Sequence, residues 1–248
     1  MPTIFIFAGP NGAGKTSLAR DTLPDGVPLI SPDDIARDQR LPPVAAAREA
    51  IRNRDAHFKR ASSFAIDTTF SGGRPYDILT AASDYGFSTH VIAILLSSVS
   101  LAKERVADRI KLGGHAVPSA DIERRFGRCI ENLRSMPPLF TELSLFDNSD
   151  AAPRHFLTIT PDHAVILRPP PQHIVAAAPD FARPAVEKAV TLPPLVRSNT
   201  VPLSSNNEPR ETSALQRLEK EAIERQTTAE QPPVSKRPDK PRGPNIRD

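Results

Sequence analysis

Gly9-Pro10-Asn11-Gly12-Ala13-Gly14-Lys15-Thr16 fits the pattern G-x-x-x-x-G-K-S/T, and its residue types are those that can hold a polyphosphate. Gly9, Gly12 and Gly14 allow a tight turn in which successive backbone N–H groups converge on one anion, helped by the positive end of a following helix. Lys15 adds a point charge that reaches the outer phosphates. The Thr16 hydroxyl, with Ser17 behind it, is a ligand for the magnesium that bridges them. ATP and Mg2+ are therefore the expected cofactors. The setting agrees: Thr3 to Ala8 is an apolar run that reads as a buried strand, and Ser17-Leu-Ala-Arg reads as the start of a helix.

Two more apolar runs end in groups that can do chemistry. Val27 to Ile30 leads into Ser31-Pro32-Asp33-Asp34, and Ser63 to Ile66 leads into Asp67-Thr68-Thr69-Phe70-Ser71-Gly72-Gly73. Asp33 is either a general base or the cap of the helix that follows Pro32, with Asp34 beside it as a weaker candidate. Asp67 serves either an acceptor molecule or the magnesium. The strongest apolar strand, His90 to Leu96, ends in Ser97-Ser98 and not in the paired acids of motor ATPases and transporters. The inventory suits a phosphotransferase, which needs a base for the acceptor hydroxyl, polar groups that hold the acceptor, and arginines that close over the phosphoryl group.

Helical phase selects the arginines. Helices are expected from Ser98 to about Leu112 and from near Ser119 to Arg134, on either side of a hinge-like Gly113-Gly114-His115-Ala116-Val117-Pro118. In the first, Arg109 lies about 65° from the centre of the stripe Val99, Ala102, Val106, Ile110, and Arg105 about 105°. In the second, Arg125 lies about 85° from the centre of the stripe Ile122, Phe126, Cys129, Ile130, Leu133, whereas Arg124 is on the far side. Arg109 and Arg125 are thus the two that face a cleft, against the alternative of solvated helix surface. His115 is a hinge residue or a hydrogen-bonding clasp. A lone histidine makes no metal site.

Strands must deliver these groups to one place. Residues 43–61 favour a helix, Arg74 to Tyr85 another closed by Gly86, and Leu143 to Phe146 a last parallel strand ending in Asp147-Asn148-Ser149. Asp147 and Asn148 either line the adenine end of a cleft or cap the chain's exit from that strand. Alternation of strands and helices predicts an α/β fold of the P-loop NTPase type, a parallel sheet with helices on both faces and a helical lid. The polar strand ends then share one cleft beyond the carboxyl edge of the sheet. His155 to Ile159 and His163 to Leu167 predict an edge hairpin. From about Pro170 onward, Pro-rich and polar composition predicts a disordered tail, so the expected division is a domain at 1–169 and a tail at 170–248 with a short helix near 213–226.

Composition narrows the class further. Among 248 residues, residues 1–160 carry 19 Lys and Arg against 18 Asp and Glu, and residues 161–248 carry 13 against 11. Most of the net charge of +3 sits in the last 14 residues, which argues against a general nucleic-acid face. The single cysteine, Cys129, excludes an internal disulfide framework and a cysteine metal cluster. No apolar run is long enough to span a bilayer, and the first strand begins at Thr3, so a cytoplasmic location without membrane partners is expected.

GPNGAGKT from Gly9, SPDDIA from Ser31, IDTTFSGG from Ile66, the run from Arg109 through LGGHAVP to Arg125-Phe126, and FDNS from Phe146 together resemble the zeta-toxin family of small P-loop kinases. The likeness extends over about Thr3 to Leu167, and the Gly-Gly-His-x-Val-Pro run is its most diagnostic part. It implies an ATP- and magnesium-dependent kinase acting on the 3′-hydroxyl of the sugar in UDP-N-acetylglucosamine, in several members within a toxin–antitoxin system. Carried over, Lys15 and Thr16 bind phosphate and metal, Asp33 takes the acceptor proton, Asp67 and Thr69 hold the acceptor sugar, and Arg109 and Arg125 close on the phosphates. Asp67 departs from the Glu common in the family, a carboxylate retracted by one methylene. A kinase of nucleic-acid ends or nucleosides, and a non-catalytic nucleotide-binding module, are the alternative readings.

Overall fold

The computed structural model describes residues 1–113, 116–191 and 199–203. Its centre is β1 (Thr3–Ala8), whose Ile and Phe residues alternate between two buried faces. Ile4, Ile6 and Ala8 join one core and Phe5 and Phe7 the other, so β1 is covered on both sides as a central parallel strand requires. It pairs in parallel with β3 (Phe64–Thr68) and β4 (Ser88–Leu95). Outside β3 lies the two-residue β2 (Leu29–Ile30), and outside β4 lies β5 (Glu142–Asp147), both parallel. The antiparallel β6 (Arg154–Ile159) and β7 (His163–Ile166) follow as the expected hairpin, and β8 (Thr200–Pro202) closes that edge. The sheet order is β2-β3-β1-β4-β5-β6-β7-β8.

Helices cover both faces. The Phe5/Phe7 face takes Ala19 of α1 (Lys15–Thr22), Ala102 and Val106 of α5 (Val99–Lys111) and Ile122 of α6 (Ser119–Arg134). The other face takes Ile35 of α2 (Pro32–Asp38), Ala50 and Phe58 of α3 (Pro43–Lys59), Leu79 and Ala82 of α4 (Asp77–Asp84), and Cys129 and Leu133 of α6. α6 therefore contributes to both cores. The buried parts of α5 and α6 belong to the body of the domain. Only their outer turns stand clear of it: Ile110, expected on the apolar stripe, is 40% exposed, because the last turn of α5 has run past its cover.

The boundary expected at residue 169 is corrected by the structure. Gln172–Ala177 (α7) and Arg183–Thr191 (α8) are helices whose Ile174, Val175, Ala177 and Val186 sit in the same core as β1, and β8 pairs with β7. Composition averaged over a Pro-rich segment hides such short apolar groups, because each is buried by a neighbouring element and not by its own segment. His115 and the helix expected near 213–226 lie outside the described residues.

Candidate functional site

The loop after β1 is built to carry its glycines. Gly9 has φ +154°, and a Cβ there would stand 2.1 Å from the Ile94 carbonyl oxygen on β4. Gly14, at φ +83°, caps α1, and a Cβ on it would meet Asn148 Nδ2 at 2.6 Å. Only glycine fits either place. Pro10 and Asn11 continue the turn, and its fold is closed by Ala13 N donating to the Pro10 carbonyl at 3.3 Å. Lys15 is buried, and its Nζ donates to that same carbonyl at 3.1 Å, so the ammonium is held within the loop. Ser17 is exposed one residue beyond Thr16.

Asp67 completes this group. In register beside Phe7 on β1, it stands one residue from the end of β3, where it accepts a hydrogen bond from the Thr16 hydroxyl and lies 3.9 Å from Lys15 Nζ. Thr69, the other residue assigned to an acceptor, shares a hydrogen bond with Ser71 at 2.8 Å. Between them Phe70 is buried at φ +51°, a left-handed conformation held by its N–H donating to the Thr68 hydroxyl at 3.0 Å.

At the end of β2 the two aspartates separate in role. Ser31 is the cap of α2, accepting from Asp34 N at 3.3 Å, so Asp33 does not cap the helix. Asp34 is engaged by Arg20 of α1 at 2.8 Å and by Arg37 at 2.9 Å. Asp33 is exposed and has no hydrogen-bond or ion-pair partner among the described residues. A carboxylate without such partners is open to accept a hydrogen bond from a neighbouring hydroxyl.

Around this centre stand α5 and α6. Arg109 and Arg125 are half-buried, while Arg124 is exposed and bound to Asp121 at 2.8 Å, as helical phase predicts. An ion pair of Lys103 with Glu123 joins the two helices. α6 lies close enough to the phosphate loop for the Lys15 ammonium to act on Cys129, although burial dominates and pushes that thiol up to about 12.

Asp147 and Asn148, candidates in the sequence, take up ties within the fold, and several further contacts have no mark in the sequence pattern. Asn148 donates its Nδ2 to the Ala13 carbonyl at 2.9 Å, propping the phosphate loop from β5, while the Asp147 carboxylate caps the chain's exit by accepting from Ser149 N at 2.9 Å. Arg105 donates to the carbonyls of Ser149 and Asp150 at 3.3 and 3.0 Å. His173 of α7 brings Nε2 to 3.2 Å from Asp147 Oδ1, within ion-pair distance but not aligned as a hydrogen bond. Asn132 of α6 reaches the turn after β3. Each is a single polar residue whose partner is backbone or a distant strand end, which periodicity does not reveal.

The donor set fits a hard divalent cation beside a polyphosphate. Thr16 and Asp67 offer two oxygen ligands at the mouth of the loop, and Lys15 supplies the charge for the phosphates. Among the described residues no cluster of three or more His, Cys, Asp or Glu forms a separate metal centre, and no helix is long and apolar enough to cross a membrane.

No known family profile matches the chain. An uncharacterized protein of Haemophilus influenzae is 29% identical over 127 residues, covering 49% of this chain and 90% of that protein. Among solved structures, the fold is similar to a chain of the AvrRxo1-ORF1:-ORF2 complex with ATP, with TM-score 0.51 and 16% identity, over 64% of this chain and 59% of that one. The same complex with sulphate ions gives TM-score 0.50 at the same identity and coverage. This chain thus spans 59% of the length of those solved chains, and at 16% identity the likeness is one of fold. The fold is the α/β arrangement of P-loop proteins, with the glycine-rich loop between β1 and α1.

Proposed function

We propose that this protein is an ATP-dependent kinase that moves the γ-phosphoryl group to a hydroxyl of a small acceptor, with the 3′-hydroxyl of the sugar in UDP-N-acetylglucosamine as the acceptor of choice. The observation that carries the reading is the pairing of a complete phosphate loop, Gly9 to Thr16, with an uncommitted carboxylate, Asp33, at the end of the same sheet. The loop and Lys15 bind the phosphates. Thr16 and Asp67 would hold the magnesium, which neutralises phosphate charge when bound.

Asp33 takes the proton of the acceptor hydroxyl as its oxygen attacks the γ-phosphorus, and the bond from that phosphorus to the β-γ bridging oxygen breaks, leaving ADP. Arg109 and Arg125 offset the charge that spreads over the transferred oxygens. Thr69 and the turn after β3 hold the acceptor. Asp67 is assigned to the metal side because its carboxylate is engaged by Thr16 and Lys15, which leaves Thr69 and Ser71 for the acceptor. A second protein, an antitoxin, is a further part of this reading. The solved chain of similar fold comes from a two-protein complex. We place the protein in the cytoplasm, where ATP and nucleotide sugars are found.

ADP release with magnesium-ATP, with and without UDP-N-acetylglucosamine, and mass spectrometry of the products test the assignment. A gain of one phosphate on the sugar nucleotide, matched by ADP, is the expected result. ADP formed only with another hydroxyl acceptor, such as a nucleoside or an oligonucleotide end, would keep the kinase and replace the substrate. ATP binding without turnover on any acceptor would point to a nucleotide-binding module.

A further inference from the structure

Inside the turn after β3, Phe70 N donates to the Thr68 hydroxyl and Thr69 shares a hydrogen bond with Ser71. Phe70 holds a left-handed backbone without being glycine, and Gly72 and Gly73 beyond it have open space around them. A further tie, which reaches both limbs of the turn, comes from α6. Asn132 Nδ2 donates to the Phe70 carbonyl at 2.8 Å and to the Gly72 carbonyl at 3.3 Å, so one amide bridges both limbs. Both partners are acceptors only, which settles the orientation of the amide. Tyr76, just past the turn, donates its hydroxyl to the backbone carbonyl of Asn132 at 2.8 Å and packs its ring edge-on to Phe70, centroids 6.2 Å apart. The same helix carries Arg125, seven residues earlier. Seven residues are two helical turns, so Arg125 and Asn132 share a face within about 20° and stand roughly 10 Å apart along the axis.

We propose that Asn132 is a positioning residue: it docks α6 onto the turn at 69–73 and so fixes Arg125 relative to the acceptor that the turn holds. The inference rests on the kinase reading for the acceptor, but the docking itself does not. α6 is itself seated by Cys129 and Leu133 in the core, so the amide ties the acceptor turn to the helix that carries the phosphate-closing arginine, and the two then move as one body. A carboxylate in the same place has the same shape and lacks both donors, and it would face two carbonyl oxygens.

The test uses the full-length protein with Asn132→Asp, which keeps the size, and Asn132→Ala, which removes the group. Amide hydrogen exchange across residues 70–76 is expected to quicken at least tenfold in both variants, with exchange in β1 and α1 unchanged. In turnover with magnesium-ATP and UDP-N-acetylglucosamine, KM for the sugar nucleotide should rise about tenfold while KM for ATP stays within twofold. Unchanged exchange at 70–76 in both variants would overturn the docking role, and equal rises in both KM values would overturn the positioning role. Should the wild type not turn over UDP-N-acetylglucosamine, that choice of substrate fails, and the exchange measurement still decides whether Asn132 holds the turn.

Discussion

Gly9 shows how a single residue couples chemistry to fold. Its missing Cβ lets the loop pass against the β4 backbone, where a methyl group would stand 2.1 Å from the Ile94 oxygen. Neither strand can yield without breaking the β1–β4 ladder. Gly9→Ala should cost about 3 kcal/mol, seen as a fall in melting temperature of roughly 10 °C, together with loss of ATP binding. An unchanged melting curve would mean that the approach is looser than described. The aspartates make a different point. Adjacent in sequence, Asp33 and Asp34 are divided by partners: Arg20 and Arg37 hold Asp34, and Asp33 is left uncommitted. Their separate roles were open in the sequence because capping by Asp33 and catalysis by Asp33 need the same residue type in the same place. Ser31 takes the cap, which removes that role from Asp33.

At the scale of elements, β4 carries a buried histidine as well as the central hydrophobic run. His90 is paired in register with Glu142 on β5, shares a contact with Ser88 at 3.2 Å, and is pushed down to about 4 by burial. Its folded pKa is below the unfolded value, so the unfolded chain binds the proton first as pH falls. This histidine's contribution to stability is therefore full above about 6.5 and is lost progressively down to about 4, by roughly 3 kcal/mol. Denaturant melts at pH 7 and pH 4.5 should show that loss in the wild type and less of it in His90→Gln. An equal loss in both would place the pH dependence elsewhere. The terminal helices give a second test. Ile174, Val175 and Val186 are buried in the main core, each contributing roughly 1.5–3 kcal/mol, a sum comparable with the whole stability of an ordinary domain. A chain ending at residue 169 should therefore unfold or aggregate, whereas one ending at 203, which keeps every residue of the described site, should melt cooperatively and bind ATP. Equal melting of the two would restore the boundary at 169.

For the whole molecule, legibility followed the range of the interaction. The parallel β1, β3, β4 and β5 and the hairpin β6–β7 were readable, because strand periodicity and turn residues are local signals. The phosphate loop was readable for the same reason. What the sequence did not show is how the pieces are tied: Asn148 to the phosphate loop, Arg105 to the turn after β5, Asn132 to the turn after β3, and α7 and α8 to the core. Those are contacts between residues far apart in the chain, made by side chains whose types also suit a solvated surface. Together they fasten the phosphate loop, the turn after β3 and the two arginine-bearing helices around the carboxyl ends of the strands, an arrangement that suits the phosphoryl transfer proposed above.

The central claim, that Asp33 activates an acceptor hydroxyl against a phosphate bound by the Gly9 to Thr16 loop, is tested most directly by acceptor-dependent ADP formation in Asp33→Asn, with ATP affinity measured on the same protein. Asp33 is exposed and has no partner among the described residues, so the substitution should leave the fold and ATP affinity unchanged within about twofold, while kcat falls at least about 100-fold. Wild-type turnover in Asp33→Asn would contradict the account.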